Sequence, residues 1–260
     1  MKLNSICSIL IIFLSSISPN IVLSFDPSLC SVKLNRYSEK VYNEKVSKYR
    51  ILSFNSKLSL PDTPFQRVTE SGTTDNNYFL QIYSGKISSM ASSNVVGYDK
   101  STRLLDYEDP QILKLKSRFQ NSKDIIEDVE SFVFKYISHK EIGIPIIPAS
   151  QILKNRSGDC TEHAVLCVAI LRSLGIQSRA LVGMVLCREF EGSKNVFVFH
   201  MWTEAYDNGV WHLVDATRPG KKHYNHYISF SYHHLKTEMP LSYLKAISAM
   251  KSFSVEYIEK

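Results

Sequence analysis

The 260-residue chain has no low-complexity tract, no internal repeat and no strong excess of one charge. Disordered tails, solenoids and strongly polyanion-directed surfaces are therefore poor descriptions of it. Its 31 basic and 25 acidic residues leave a mild formal charge of +6, spread along the chain, and nothing points to nucleic acid. Cysteine is scarce, with five in all. Cys7 falls in the leader described next, and the remaining Cys30, Cys160, Cys167 and Cys187 are too few for a disulfide scaffold. Cys30 with Cys187 is the pair to test as a bridge. There is also no apolar run of about 20 residues, the length a membrane-spanning helix needs.

What is present begins with residues 1–24. Lys2 precedes an apolar run from Ile6 to about Ile17, then Ser, Pro and Asn, and Val22 and Ser24 stand at −3 and −1 of a cut before Phe25. That is the layout of a secretory signal peptide, so the expected location is exported, periplasmic or secreted, with no stable membrane span after cleavage. Residues 25–107 read as an N-terminal β-leaning region. "YRILSFNSKLSL" and "NYFLQIYSGKISSM" alternate as strands do, and "PDTP" and "ESGTTDNN" read as turns.

Residues 108–260 read as a second region. Asp109-Pro110 caps and starts a helix. A further helix begins near Ser122, with Ile125, Ile126, Val129, Phe132, Val133, Tyr136 and Ile137 at helical spacing. "ASQILK" is a short helix. From Cys160 to Leu174 one side is almost wholly apolar, and Gly175 suits the C-terminal cap. "SRALVGMVLC", "NVFVFHMWTEAY" and "VWHLVDA" then read as strands, the last two joined by a tight turn at Asn208-Gly209. A helix near Leu241–Lys251 and a strand near Phe253–Ile258 close the chain. The basic cluster Lys221, Lys222, His223 and His226 reads as a solvated loop. The fold class is α+β, a central helix packed on an antiparallel sheet.

Cys160 sits at the head of a helix, where the dipole and free N–H groups stabilise a thiolate. His200 lies in an apolar strand and needs a polar partner. If Asn208-Gly209 is the two-residue turn, paired residue numbers sum to about 417, and Asp215 faces Trp202. His200 and Asp215 then share one face as diagonal neighbours. A thiol, an imidazole and a carboxylate in that order are the parts of a nucleophilic triad. Backbone N–H groups at the helix start can hold an oxyanion, with Gln151 or Asn155 as guesses for a side-chain donor. The competing use of these residues is a metal site, with Cys160 and His163 three apart on one helix and His200 and Asp215 completing a tetrahedral set.

"GDCTEHAVLCVAILRSLGIQSRALVG" followed by "HMWTEAYDNGVWHLVDATRP" resembles the core of bacterial transglutaminase-like proteins. The resemblance spans roughly 150–219. It implies a papain-like fold with Cys160 as nucleophile, His200 as base and Asp215 as orienting acid, acting through an acyl-thioester, with no metal and no organic cofactor. Trp202 and Arg179 match framework residues. Thr161 follows the cysteine where animal cross-linking enzymes have Trp, and no calcium site or extra β-domain is evident. The expected activity is therefore hydrolysis of peptide or side-chain amide bonds in a protein or peptide substrate. Cross-linking to an amine acceptor and a catalytically silent binding scaffold are the alternatives.

Overall fold

The computed structural model describes residues 30–54, 57–74, 77–87, 97–140, 146–220, 222–233, 235, 250 and 252–259. The leader at 1–24 and nearly all of the helix expected near Leu241–Lys251 lie outside them. Among the described residues no helix is long and apolar enough to cross a membrane.

The chain starts with strands β1 (Ser31–Asn35), β2 (Val46–Ser53), β3 (Gln66–Thr74) and β4 (Asn77–Gly85). β2 buries alternate residues, as a strand with one covered face does. β3 takes in Glu70–Thr74, which the sequence marks as a turn. These residues are mostly exposed, but β4 runs alongside and supplies their backbone partners.

Helices follow. α1 (Pro110–Lys114) is capped by the Asp109 side chain, and α2 (Lys116–Phe119) comes directly after it. α3 (Ile125–Tyr136) is capped by Asp124 and buries Ile126, Val129 and Val133. α4 (Ala149–Asn155) leads into α5 (Cys160–Ser173), in which every residue is buried. A helix apolar nearly all round belongs in a core. Its last charged side chain, Arg172, escapes an unpaired burial by donating to the carbonyls of Ser178 and Lys100.

β5 (Gln177–Phe190), β6 (Ser193–Asp207) and β7 (Val210–Val214) form the expected meander. Asn208 and Gly209 both have positive φ, as the favoured hairpin turn requires, and Thr203 pairs with Val214 in the anticipated register. β8 (Tyr227–His233) pairs with β5. β9 (Phe253–Ile258) returns to lie between β1, parallel to it, and β2, antiparallel to it. The described strands make a nine-stranded sheet in the order β3-β4-β2-β9-β1-β6-β5-β8, with β7 also on β6.

β6 organises the molecule. From Ser193 to Tyr206 it runs along β5 on one edge. On the other edge β1 ends opposite Val198 and β7 begins opposite Thr203. The stretch 199–202 therefore forms a gap between two strands. α5 packs across β6, with Thr203 Oγ1 donating to the Ala164 carbonyl.

The Cys30–Cys187 bridge does not form, and Cys187 is a free thiol. β1 and β5 lie on opposite edges of β6. Cys187 pairs with Val196, which pairs with Lys33, three positions from Cys30. Two strand spacings of about 4.8 Å plus that offset exceed disulfide reach.

Candidate active site

Gly158-Asp159 turns the chain into α5. The turn fits only glycine, because Gly158 has φ +148° and a Cβ there would meet Glu162 Cβ at 2.4 Å. Asp159 caps the helix by accepting the Thr161 N–H at 3.0 Å, and Glu162 Oε2 accepts the Asp159 N–H at 2.9 Å. This reciprocal capping box fixes where the helix begins. Cys160 is thus held at the first helical position, opposite the gap in β6, with the Met201 N–H directed at its Sγ.

His200 and Asp215 meet as the strand register requires. Nε2 of His200 lies 2.8 Å from Asp215 Oδ2, and both side chains are 0% exposed. The carboxylate is fully engaged. Oδ2 also accepts the Tyr227 hydroxyl at 2.8 Å, and Oδ1 accepts the Thr217 N–H at 3.1 Å and hydroxyl at 2.6 Å. Burial works against its charge, but His200, Arg218 and Thr217 outweigh it and hold the carboxyl well below the usual range. An ionised carboxylate only accepts, so Nε2 is the donor. In neutral His200 the lone pair is then on Nδ1, which is buried and has no hydrogen-bond partner among the described residues. Trp202 stacks over the His200 ring at 6.2 Å and Tyr227 meets Trp202 edge-on at 5.2 Å.

The thiol is not poised as the helix dipole alone suggests. Cys160 is 1% exposed, and its pKa is pushed well above the ordinary value, by burial first and then by the charge of Asp159. The Met201 N–H pulls the other way and does not compensate. In this closed arrangement the group is a thiol.

Other expectations sort themselves by position. His163 points its Nδ1 at the Asp159 carbonyl, 2.5 Å away, and burial lowers its pKa to about 4. It is spent on the helix start, and among the described residues no group of three His, Cys, Asp or Glu is placed to hold a metal ion. Gln151 and Asn155 are exposed on α4, so neither reaches the buried thiol. Arg179 is framework, as read. It bonds Glu204 at 2.9 and 2.7 Å and lies over the Trp211 and Tyr232 rings. The basic cluster is a solvated loop only in part. His223 is exposed, but the Lys222 side chain is 7% exposed against Glu130 of α3, and His226 is buried. Lys221 lies outside the described residues. Tyr227 and Thr217 join the site without having been singled out. Thr217 stood two residues beyond Asp215, at the distance of an Asx turn. Ile228, Phe230 and Tyr232 alternating with serines marked the strand that starts at Tyr227.

The sequence pattern of the transglutaminase-like superfamily matches residues 114–216. No curated protein matches the chain. Among solved structures, a candidate cysteine protease from Cytophaga hutchinsonii is 14% identical, with 87% of this chain and 82% of that one covered and a TM-score of 0.48. The periplasmic domain of TgpA from Pseudomonas aeruginosa, bound to ethylmercury, is 16% identical, with 72% and 74% covered and a TM-score of 0.47. Red sea bream transglutaminase is 12% identical, with 67% and 46% covered and a TM-score of 0.36. The matched stretch runs from the end of α1 through α5 to just beyond Asp215, so this part of the chain is similar to the transglutaminase-like superfamily, with Cys160, His200 and Asp215 inside it.

Proposed function

We propose that this protein is an exported cysteine enzyme that uses Cys160, His200 and Asp215 as a triad to hydrolyse peptide or side-chain amide bonds. The observation that carries the reading is the buried His200–Asp215 hydrogen bond, which leaves His200 Nδ1 with an open lone pair one residue from Met201, whose N–H meets the Cys160 thiol. Export rests on the leader-like residues 1–24.

Asp215 keeps the proton on Nε2 and stabilises the charge that His200 gains. Because the resting Cys160 is a thiol, its proton moves to Nδ1 as Sγ attacks the substrate carbonyl. The Sγ–C bond forms and the carbonyl oxygen becomes an oxyanion, with the Cys160 N–H at the head of α5 as the candidate donor, since the Asp159 cap takes those of Thr161 and Glu162. Imidazolium then returns the proton to the leaving amine as the C–N bond breaks. This leaves an acyl-thioester on Cys160. Water, deprotonated by His200, hydrolyses the thioester and regenerates the thiol. The buried thiol implies that substrate entry must open the site before attack.

The test is acylation by p-nitrophenyl acetate, followed by mass spectrometry of the Cys160 peptide, with and without methylamine. The expected result is a transient acetyl group on Cys160, lost to water, with little N-methylacetamide formed. Equal acylation in H200A, or acetyl groups only on other residues, would overturn the triad. Predominant N-methylacetamide would overturn hydrolysis in favour of amine transfer.

A further inference from the structure

α3 presents an apolar face of Ile126, Val129 and Val133 to the core, and one acid interrupts it. Glu130 is 5% exposed. Burying a carboxylate is costly unless its partners are strong, and an apolar residue would fill the position more cheaply. Its partners are specific. Glu130 Oε1 accepts the backbone N–H of Asp215 at 2.6 Å, across 85 residues of sequence. The Lys222 ammonium lies 2.7 Å from Oε1 and 2.8 Å from Oε2, and also donates to the carbonyls of Arg218 and Gly220. Glu130 and Lys222 together tie the chain at 215, 218 and 220 to the middle of α3. The Asp215 carboxylate is fixed on its front by Thr217 and Tyr227, and Glu130 fixes its backbone from behind.

The pair also lines a cavity of about 770 Å³, together with residues such as Asp124, His212 and Tyr224. Cys160, His200 and Asp215 are not in that lining. The clamp can therefore be altered from a side that does not carry the thiol.

We propose that Glu130, held by Lys222, is a positioning residue that anchors the Asp215 backbone so that its carboxylate meets His200 Nε2. The proposal rests on the triad reading above. It assigns Glu130 no contact with substrate.

The test uses the full chain with 15N-labelled histidine and follows the proton shared by His200 Nε2 and Asp215, which H200Q identifies by its loss. Burial of both partners makes this proton slow to exchange and visible downfield of the amides. E130L should shift or abolish the resonance and slow acetylation of Cys160 by p-nitrophenyl acetate about 10²-fold. E130Q keeps an acceptor for the Asp215 N–H and should retain the resonance and most of the rate. A folded E130L with the wild-type resonance and rate overturns the proposal. If E130L does not fold, K222M decides, since it loosens the clamp and leaves Glu130 in place. A shifted resonance supports the proposal and an unmoved one overturns it. Absence of the resonance in the wild type would overturn the triad reading itself. An unmoved resonance and an unchanged rate in folded E130L would leave that reading standing and remove only this one.

Discussion

β6 carries two buried ionisable pairs, four residues apart. Near its middle, His200 meets Asp215. Towards its end, Glu204 meets Arg179. Both pairs are buried and both join neighbouring strands. Arg179 is enclosed by Tyr98, Trp211 and Tyr232, with the latter two rings at 3.9 and 4.0 Å, and these rings surround its guanidinium. Each pair keeps one buried atom without a hydrogen bond among the described residues, Glu204 Oε1 in one and His200 Nδ1 in the other, but it is His200 that lies at the gap where α5 presents Cys160. Burial and charge are therefore poor guides to chemistry by themselves. An open valence next to a nucleophile is the better one, because only such a group has something left to do.

The sharpest way to break the comparison is to disable each pair and follow acylation by p-nitrophenyl acetate. C160A should abolish acetylation at position 160, and D215N should slow it by about 10⁴-fold, since the wrong imidazole tautomer is then favoured. R179M should leave the rate within about twofold wherever the protein remains folded. A loss in R179M comparable to that in D215N would make the second pair part of the machinery.

Stability should respond in the opposite order. R179M leaves Glu204, 0% exposed, buried without its cation, and should cost about 3–5 kcal/mol in urea unfolding. The double variant R179M/E204L should recover most of that loss, because an apolar pair needs no desolvation compensation. If the double variant is no more stable than R179M alone, the pair is not the source of the cost.

Acid should separate the regions next. Burial lowers His163 to about 4 and His226 to about 3. Their folded values are below the ordinary 6.5, so the unfolded chain binds these protons first as pH falls. The stability they permit is present above about pH 6.5 and is lost towards pH 4. Glu130, raised to about 7 by burial against the pull of Lys222, works in the opposite sense between about 4.5 and 7. Asp159, Glu162 and Glu204 are also raised by burial and share the sense of Glu130, so the histidine share is read by difference. H163Q and H226Q should each lose less thermal midpoint than the wild type between pH 7 and pH 5, and an unchanged pH dependence in both would contradict the assignment.

The smallest expected effect is Y227F. It removes one of two donors to Asp215 Oδ2 and should cost about 1 kcal/mol in stability. Acylation should slow several-fold, far less than in D215N. A loss as large as that of D215N would move Tyr227 from support to chemistry.

Some of this site was legible because its signals are local. Gly158-Asp159-Cys160 and Glu162 specify a capping box within five residues, and the Asn208-Gly209 turn dictates which face His200 and Asp215 share. The rest depends on residues far apart in sequence. The place of β9 between β1 and β2 leaves no mark in its own alternation, which says only that one face is covered. Lys222 reads as a surface lysine until Glu130, 92 residues earlier, is found beside it. The charge state of the thiol is non-local for a related reason. The dipole of α5 favours the thiolate, but how much water remains at that helix end depends on every element packed around it.

The sequence by itself determined the elements and their periodicities, the cap that starts α5, the hairpin register, and the transglutaminase-like pattern of Cys160, His200 and Asp215. Each of these is set by torsional preferences and hydrogen bonds within a few residues, or by a turn that fixes strand parity. Only the tertiary structure decided the gap in β6, the closed and protonated state of Cys160, the Tyr227 bond to Asp215 and the Glu130–Lys222 clamp behind it. Those depend on burial and on pairings across tens of residues, where desolvation and geometry, not local preference, determine which groups carry charge.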